Sequence, residues 1–382
     1  MSGSTNGTTA ASPAQLIAPP GLKGLVVADT TIGSVRGDEG FFHYRQHDAV
    51  EVARHQSFEA AAALLIDGSI PDAAAESSFR SELAAARRVD RSVFEALAPV
   101  ADRIDAMSGL RLAYALTIDD TPTIDLSPTE RRALALAAAA VVPTVMAGLH
   151  RLAAGNTPLA PDPGLGHAAD YLRMVTGACP SAELIRAVET YLLLTIDHGF
   201  NASTFTTRVV TSTVAGVARA LTAAVGALSG PLHGGAPSRV LDMLSDIGEP
   251  AATEAWAEAR LAAGDKIMGF GHAVYRADDP RSDLLKEVAI GLGGELVDRA
   301  LEIEDRMLGV LRAWKPGAVI VTNVEYYAAI VLHLAGLPQE LFTPTFTTSR
   351  AVGWAAHLLE QAADNKIMRP KARYVGPEPL RS

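Results

Sequence analysis

The chain has one cysteine, Cys179, in 382 residues. A lone thiol forms no internal disulfide and builds no zinc cluster, so no metal site is read from the sequence and a reducing, cytoplasmic setting is the simplest expectation. Basic charge is also scarce. Lys and Arg number 33 against 43 Asp and Glu, a net charge of −10. A negative surface repels phosphate backbones and anionic lipids, so neither nucleic acid nor a membrane is an expected partner. Small anionic substrates stay open, because they need only a local group of arginines. The first basic residue is Lys23, and residues 1–20 are rich in Ser, Thr, Ala and Pro. A secretory signal needs a basic start and an apolar core, so this segment reads as a disordered tail. The uncharged run 133–149 spans 17 residues, rich in alanine, with Pro143 inside. A membrane span takes about 20 apolar residues, so this run is expected to be a buried helix.

What is present is a chain that is 48% hydrophobic and 20% charged, enough for one large domain or two unequal ones. Short β-type runs at 25–27 and 41–44, broken by Gly33, Gly37 and Gly40, suggest a small hairpin region. Almost everything after it reads helical. Ser57 opens a helix that stops at Asp67-Gly68, and Ser127 caps another that starts at Pro128. Further helical stretches are expected at 111–116, 181–194, 203–228, 242–263, 283–290, 296–313 and 326–334. The 203–228 stretch carries small and apolar residues on all sides, as a buried helix does. The fold class is all-α.

Three segments place polar groups in breaks between apolar helices. They are Gly230-Pro231-Leu232-His233-Gly234-Gly235-Ala236, then Met268-Gly269-Phe270-Gly271-His272-Ala273-Val274-Tyr275-Arg276 with Asp279-Pro280-Arg281 after it, and Thr322-Asn323-Val324-Glu325-Tyr326-Tyr327. Glycine lets backbone or ligand come close to the neighbouring histidine. Taken singly, each has a plainer explanation. A glycine-flanked histidine commonly bonds a carbonyl in a turn, and a glutamate at a helix start complements the helix dipole. Gly269-x-Gly271 lacks the third glycine and preceding strand of a dinucleotide fingerprint.

Together the segments resemble the citrate synthase family, over about 21–374. Gly21-Leu22-Lys23-Gly24-Leu25-Val26-Val27-Ala28-Asp29-Thr30 is similar to the family's opening strand. Asp197-His198-Gly199-Phe200-Asn201-Ala202-Ser203-Thr204 is similar to its motif at a helix start. Ser349-Arg350-Ala351-Val352-Gly353-Trp354 and Met368-Arg369-Pro370 are similar to its C-terminal arginine sites.

The resemblance implies a two-domain helical fold, with a large domain of 21–232 and 337–382 and a small domain of 233–336 closing over the substrates. It implies condensation of acetyl-CoA, a co-substrate with no permanently bound cofactor beside it, with oxaloacetate. In that reading His233 donates to the acetyl-CoA carbonyl, His272 polarises the ketone and Glu325 is the base. His198, Arg281 and Arg350 bind oxaloacetate, joined by Arg369 from the neighbouring subunit of a homodimer with composite sites. Lys266 and Arg276 face the CoA phosphates. The dimer interface falls to helices such as 133–152 and 203–228. Asn201 and Gly235 hold loops, and Trp354, Tyr326 and Tyr327 fill core. Two departures stand out: most relatives carry Asp at Glu325, and many carry a basic residue at Ala273. Two other readings are a 2-methylcitrate synthase using propionyl-CoA, and a non-catalytic paralogue that binds CoA or oxaloacetate.

Overall fold

The computed structural model describes residues 17–231, 233, 237–272 and 274–379. Residues 1–16 of the expected tail, Gly235 and Ala273 lie outside the described residues. The chain divides into two units, Met1–Thr31 and Ile32–Ser382. The described part of the first contains one 3-10 turn, Pro20–Leu22. The strand expected at 25–27 does not form there: among the described residues, 23–31 enter no strand.

The second unit opens with an antiparallel sheet of β1 (Gly33–Arg36), β2 (Phe41–Tyr44) and β3 (His47–Asp48). Gly33 pairs with Tyr44 and Arg36 with Phe41. The alternation of β2 follows strand geometry, with Phe42 and Tyr44 buried and Phe41 and His43 on the other face.

The rest is helical: α1 (Ala49–His55), α2 (Phe58–Asp67), α3 (Ala73–Ala86), α4 (Arg91–Leu97), α5 (Ala106–Thr117), α6 (Pro128–Ala153), α7 (His167–Thr176), α8 (Ala182–Thr195), α9 (Ala202–Thr211), α10 (Val217–Leu228), α11 (Pro237–Ile247), α12 (Thr253–Ala262), α13 (Pro280–Leu292), α14 (Glu295–Trp314), α15 (Val324–Leu334) and α16 (Phe342–Ala363). Local chemistry sets many of the starts. Ser57 accepts from Ala60 N–H, and Gly68 ends α2 in the left-handed region. Ser127 and Glu130 form a capping box ahead of α6.

Two expected helices are corrected. The 203–228 stretch is α9 and α10, broken where Val214 takes φ 59° and Gly216 caps α10. The 242–263 stretch is α11 and α12, parted at Gly248 with φ 68°. The first break falls in Ser212-Thr213-Val214-Ala215-Gly216, small residues like those on either side of it.

The core runs along α6 and α16, which pack on each other. Every described side chain of α6 from Ala138 to Leu149 is buried, Pro143 included. By length and composition α6 is long and apolar enough to cross a membrane, but 78% of its apolar window is buried inside the protein. Alanine permits this, since small side chains let helices approach closely.

Candidate active site

Two of the three polar segments, the one carrying His272 and the one carrying Glu325, meet and are joined by backbone. Phe270 and Thr322 form an antiparallel bridge. Gly271 N–H donates to Val321 O at 2.8 Å, and Asn323 N–H to Gly269 O at 2.9 Å. Gly269 has φ 83°, and a Cβ there would lie 2.9 Å from the Tyr326 ring, so this close approach requires glycine. Asn323 caps α15 by accepting from Glu325 N–H at 3.1 Å, and its amide donates to Gly271 O at 2.9 Å. One cap thus ties the Glu325 helix to the His272 loop.

Asp279 braces the same junction. It accepts from Arg281 Nε at 3.0 Å and Nη2 at 2.8 Å, and from Val324 N–H at 3.2 Å. The brace is fully buried, and Arg281 holds the Asp279 carboxyl below its usual range against the cost of burial. Asp279 therefore fixes Arg281 relative to Glu325.

His272 is half-buried. Its Nδ1 accepts from Val274 N–H at 2.9 Å and Tyr275 N–H at 3.0 Å, which puts the ring proton on Nε2. Nε2 lies 3.1 Å from Arg281 Nη2. With the ring proton on Nε2 both groups are donors and do not bond each other, and one carbonyl or carboxylate oxygen beside them would accept from both. Burial, then Arg281, lowers the His272 pKa to about 4, so the ring is neutral at pH 7.

His233 reaches the start of α9. Ser203 N–H points at its Nε2 from 3.3 Å, and Ser203 Oγ is 2.8 Å away. A helix N-terminus presents N–H groups, so Nε2 accepts and Nδ1 carries the proton. Burial, then Arg350, lowers His233 to about 4. Ser203 is fixed in turn: its Oγ lies 2.8 Å from Asn201 Oδ1 and accepts from Trp354 Nε1 at 3.0 Å. Asn201 caps α9, in keeping with the loop-holding role expected of it, and Trp354 is core.

Glu325 sits in the first turn of α15. Burial raises its carboxyl to about 7; Arg281 opposes the rise and Asp279 adds to it. Arg281 and Arg350 are both buried. Arg350 donates Nε to Thr195 O at 2.9 Å and lies over the Phe346 ring at 4.6 Å. His198 Nε2 is 2.9 Å from Tyr275 OH, and its ring is 6.1 Å from that of His272. Burial first, then Arg281 and Arg350, keeps His198 well below its usual range.

His233, His272, His198, Arg281, Arg350 and Glu325 are therefore bound into one network by contact or charge. Lys266, Arg276 and Arg369 are exposed. Arg276 Nη1 touches His272 O at 3.5 Å. Tyr275, Asp279, Ser203 and Asp197 were inside the quoted motifs but carried no role in the sequence reading. His357 had no motif support at all, and only the folded chain places it beside Asp197. Among the described residues no group of three or more His, Cys, Asp or Glu suits a metal ion.

Neutral imidazole donors, a carboxylate of raised pKa and two buried arginines define an enzyme class that removes a weakly acidic C–H proton and handles a carboxylated carbonyl compound. Residues 21–371 match the family described as "Citrate synthase, C-terminal domain". A "2-methylcitrate synthase" of Mycobacterium tuberculosis is 39% identical over 361 residues, covering 94% of this chain and 90% of the relative. A "Citrate synthase" of Acidithiobacillus ferridurans is 34% identical over 375 residues, covering 95% and 96%. The solved ternary complex of carboxymethyl coenzyme A and oxaloacetate with citrate synthase from Thermoplasma acidophilum superposes with a TM-score of 0.85 at 26% identity, covering 95% of this chain and 97% of that one. The chain belongs to the citrate synthase family.

Proposed function

We propose that the chain is a citrate synthase, joining acetyl-CoA to oxaloacetate and hydrolysing the product thioester to citrate and CoA. The observation that carries this reading is the convergence of neutral His233 and His272, Glu325, and the buried arginines Arg281 and Arg350. Glu325 removes a methyl proton from the thioester while His233 Nδ1–H stabilises the enol oxygen. The enol carbon attacks the oxaloacetate ketone, whose oxygen is polarised by His272 Nε2–H and takes up a proton as the carbon–carbon bond forms. Arg281 and Arg350 bind the carboxylates as two-point forks, assisted by His198. Water then cleaves the thioester and releases CoA. Glu325 is one methylene longer than the family's usual Asp. Its tether from Asn323, its carboxyl near pH 7 and the intact donors support a working base.

The small domain of 233–336 closes on the large domain and excludes water during enol formation. Lys266 and Arg276 take the CoA phosphates. The enzyme works in the cytoplasm as a homodimer in which Arg369 completes the neighbouring site. Exposed Leu112 and Leu116 on α5, 48% and 54% accessible, support an apolar contact between subunits. A second reading, propionyl-CoA as acyl donor, is favoured by the 2-methylcitrate synthase relative. One methylene in an apolar pocket is worth only about 1–3 kcal/mol. Release of CoA, followed with purified protein, oxaloacetate and each acyl-CoA in parallel, tests the proposal. Absence of CoA release with either donor refutes it, and a higher kcat/KM for propionyl-CoA selects the second reading.

A further inference from the structure

Asp197 is a fully buried carboxylate next to the candidate oxaloacetate site, and no role in the reaction uses it. It lies against α16. A Cβ on Gly353 would come within 2.4 Å of Ile196 O and 3.0 Å of Asp197 Oδ1, so the carboxylate rests on the helix where Gly353 leaves room. Arg350 is three residues before Gly353 and His357 four after it. Both lie on the face that carries Gly353, about one turn away in opposite directions. Asp197 therefore sits between a guanidinium and an imidazole, and interacts electrostatically with both.

In the structure it stands against the imidazole. His357 Nε2 is 3.3 Å from Asp197 Oδ1, a contact at ion-pair distance rather than an aligned hydrogen bond, and both side chains are buried. The other ring nitrogen is fixed. His357 Nδ1 accepts from Arg208 Nε at 3.1 Å and Nη2 at 3.0 Å. A nitrogen that accepts from arginine carries no proton, so the N–H of His357 is on Nε2 and faces Asp197. Arg208 is itself held, by Glu360, by Gln361 Oε1 at 3.4 Å and over the Phe200 ring at 5.5 Å.

We propose that His357, oriented by Arg208, holds the Asp197 carboxylate away from Arg350 and so leaves the Arg350 guanidinium available to a carboxylate of the keto-acid substrate. His357 is then a positioning residue: it acts through Asp197 and touches no reacting atom. The argument is one of competition. A buried arginine binds whichever carboxylate it can reach, and an internal Asp that keeps a backbone N–H from Gly199 but loses its imidazole partner turns to it. The Arg350 fork would be filled by the protein itself, and affinity for a dianionic keto acid would fall while the acyl-CoA side of the site kept its groups.

This inference rests on the reading that Arg350 binds oxaloacetate, and the test separates the two. Oxaloacetate binding is measured by calorimetry on the full-length protein, with steady-state KM and kcat for both substrates. His357→Ala should weaken oxaloacetate binding by about ten- to a hundredfold, the scale of losing one hydrogen bond to a charged group, and leave the acyl-CoA KM within about threefold of wild type. Adding Asp197→Asn to that variant should restore binding to within about threefold, because the competing charge is gone. A merely structural His357 predicts the reverse, a double variant as weak as the single one or weaker. Asp197→Asn alone keeps the inference exposed if His357→Ala fails to fold: binding should be unchanged or tighter, and tenfold weakening overturns the proposal. Arg350→Ala is the control. If it binds oxaloacetate like wild type, the assignment of Arg350 fails. If it loses binding while His357→Ala keeps it, only the competition argument fails.

Discussion

Glu325→Gln should slow turnover and, above pH 7, stabilise the fold. Glutamine keeps the size of the side chain but cannot take a proton, and a positioned general base contributes about 10²- to 10⁴-fold. The stability term comes from burial. Burial raises the Glu325 carboxyl from 4.5 to about 7, with Arg281 opposing and Asp279 reinforcing the rise. That span corresponds to up to about 3 kcal/mol against the ionised form in the folded state. The sign follows from the raised value. Below about 4.5 the group is protonated folded and unfolded, and the penalty is absent. Between 4.5 and 7 the unfolded chain releases the proton first and stability declines. Above about 7 the full penalty acts on wild type and is missing in Glu325→Gln. With an unfolding entropy of about 2.1 cal/mol/K per residue, 3 kcal/mol in this chain is about 4 °C. The assays are thermal melts at pH 5 and pH 8 and CoA release at saturating substrates. The expected pattern is a Tm gain at pH 8 that shrinks at pH 5, with turnover down at least about a hundredfold. Retention of more than about a tenth of turnover, a barrier change under ~1.4 kcal/mol, would show that another residue is the base. A Tm loss at pH 8 equal to that at pH 5 would refute burial as the source of the raised carboxyl.

Other outcomes follow from the same geometry. kcat/KM should rise with pH through about 7 as Glu325 ionises, with no inflection from His233 or His272, both held at about 4; a profile flat from pH 5.5 to 8 contradicts this. Exchange of acetyl protons with solvent, in the presence of an unreactive oxaloacetate analogue, should be lost in His233→Ala and partly kept in His272→Ala, and the opposite pattern means their roles are exchanged. Gly353→Ala forces a methyl to 2.4 Å from Ile196 O and should cost about 1–3 kcal/mol in a denaturant melt; an unchanged midpoint shows that α16 and the His198 segment are not tightly packed. Co-refolding Arg369→Ala with His272→Ala should recover about a quarter of wild-type activity, since random pairing makes half the dimers mixed with one sound site of two. No recovery, with heterodimers verified by mass, places Arg369 in its own subunit's site or in none.

Much of the site was legible before the fold. His233 and His272 lie in glycine-marked breaks between apolar helices, and Glu325 stands at the start of an apolar helix. Local rules suffice there, because caps, turns and left-handed glycines depend on a few neighbouring residues. The strand at 41–44 was readable from its β-type run and the glycines before it, for the same reason. The break at 212–216 was not, because Ser212, Thr213 and Gly216 also occur inside helices as small residues and packing decides where the helix ends.

Sequence by itself determined the all-α class, the family and the chemical types at the site, since periodicity, capping residues and motif spacing are written along the chain. Tertiary structure alone decided how those groups stand to one another. The Nε2–H of His272 follows from two backbone N–H groups at its Nδ1. The raised Glu325 carboxyl follows from enclosure. The pairing of His357 with Asp197 spans 160 residues of chain and depends on α16 lying against the segment that carries His198. Proton positions and charge states are set by distance and burial, and these exist only once helices remote in the chain have packed together.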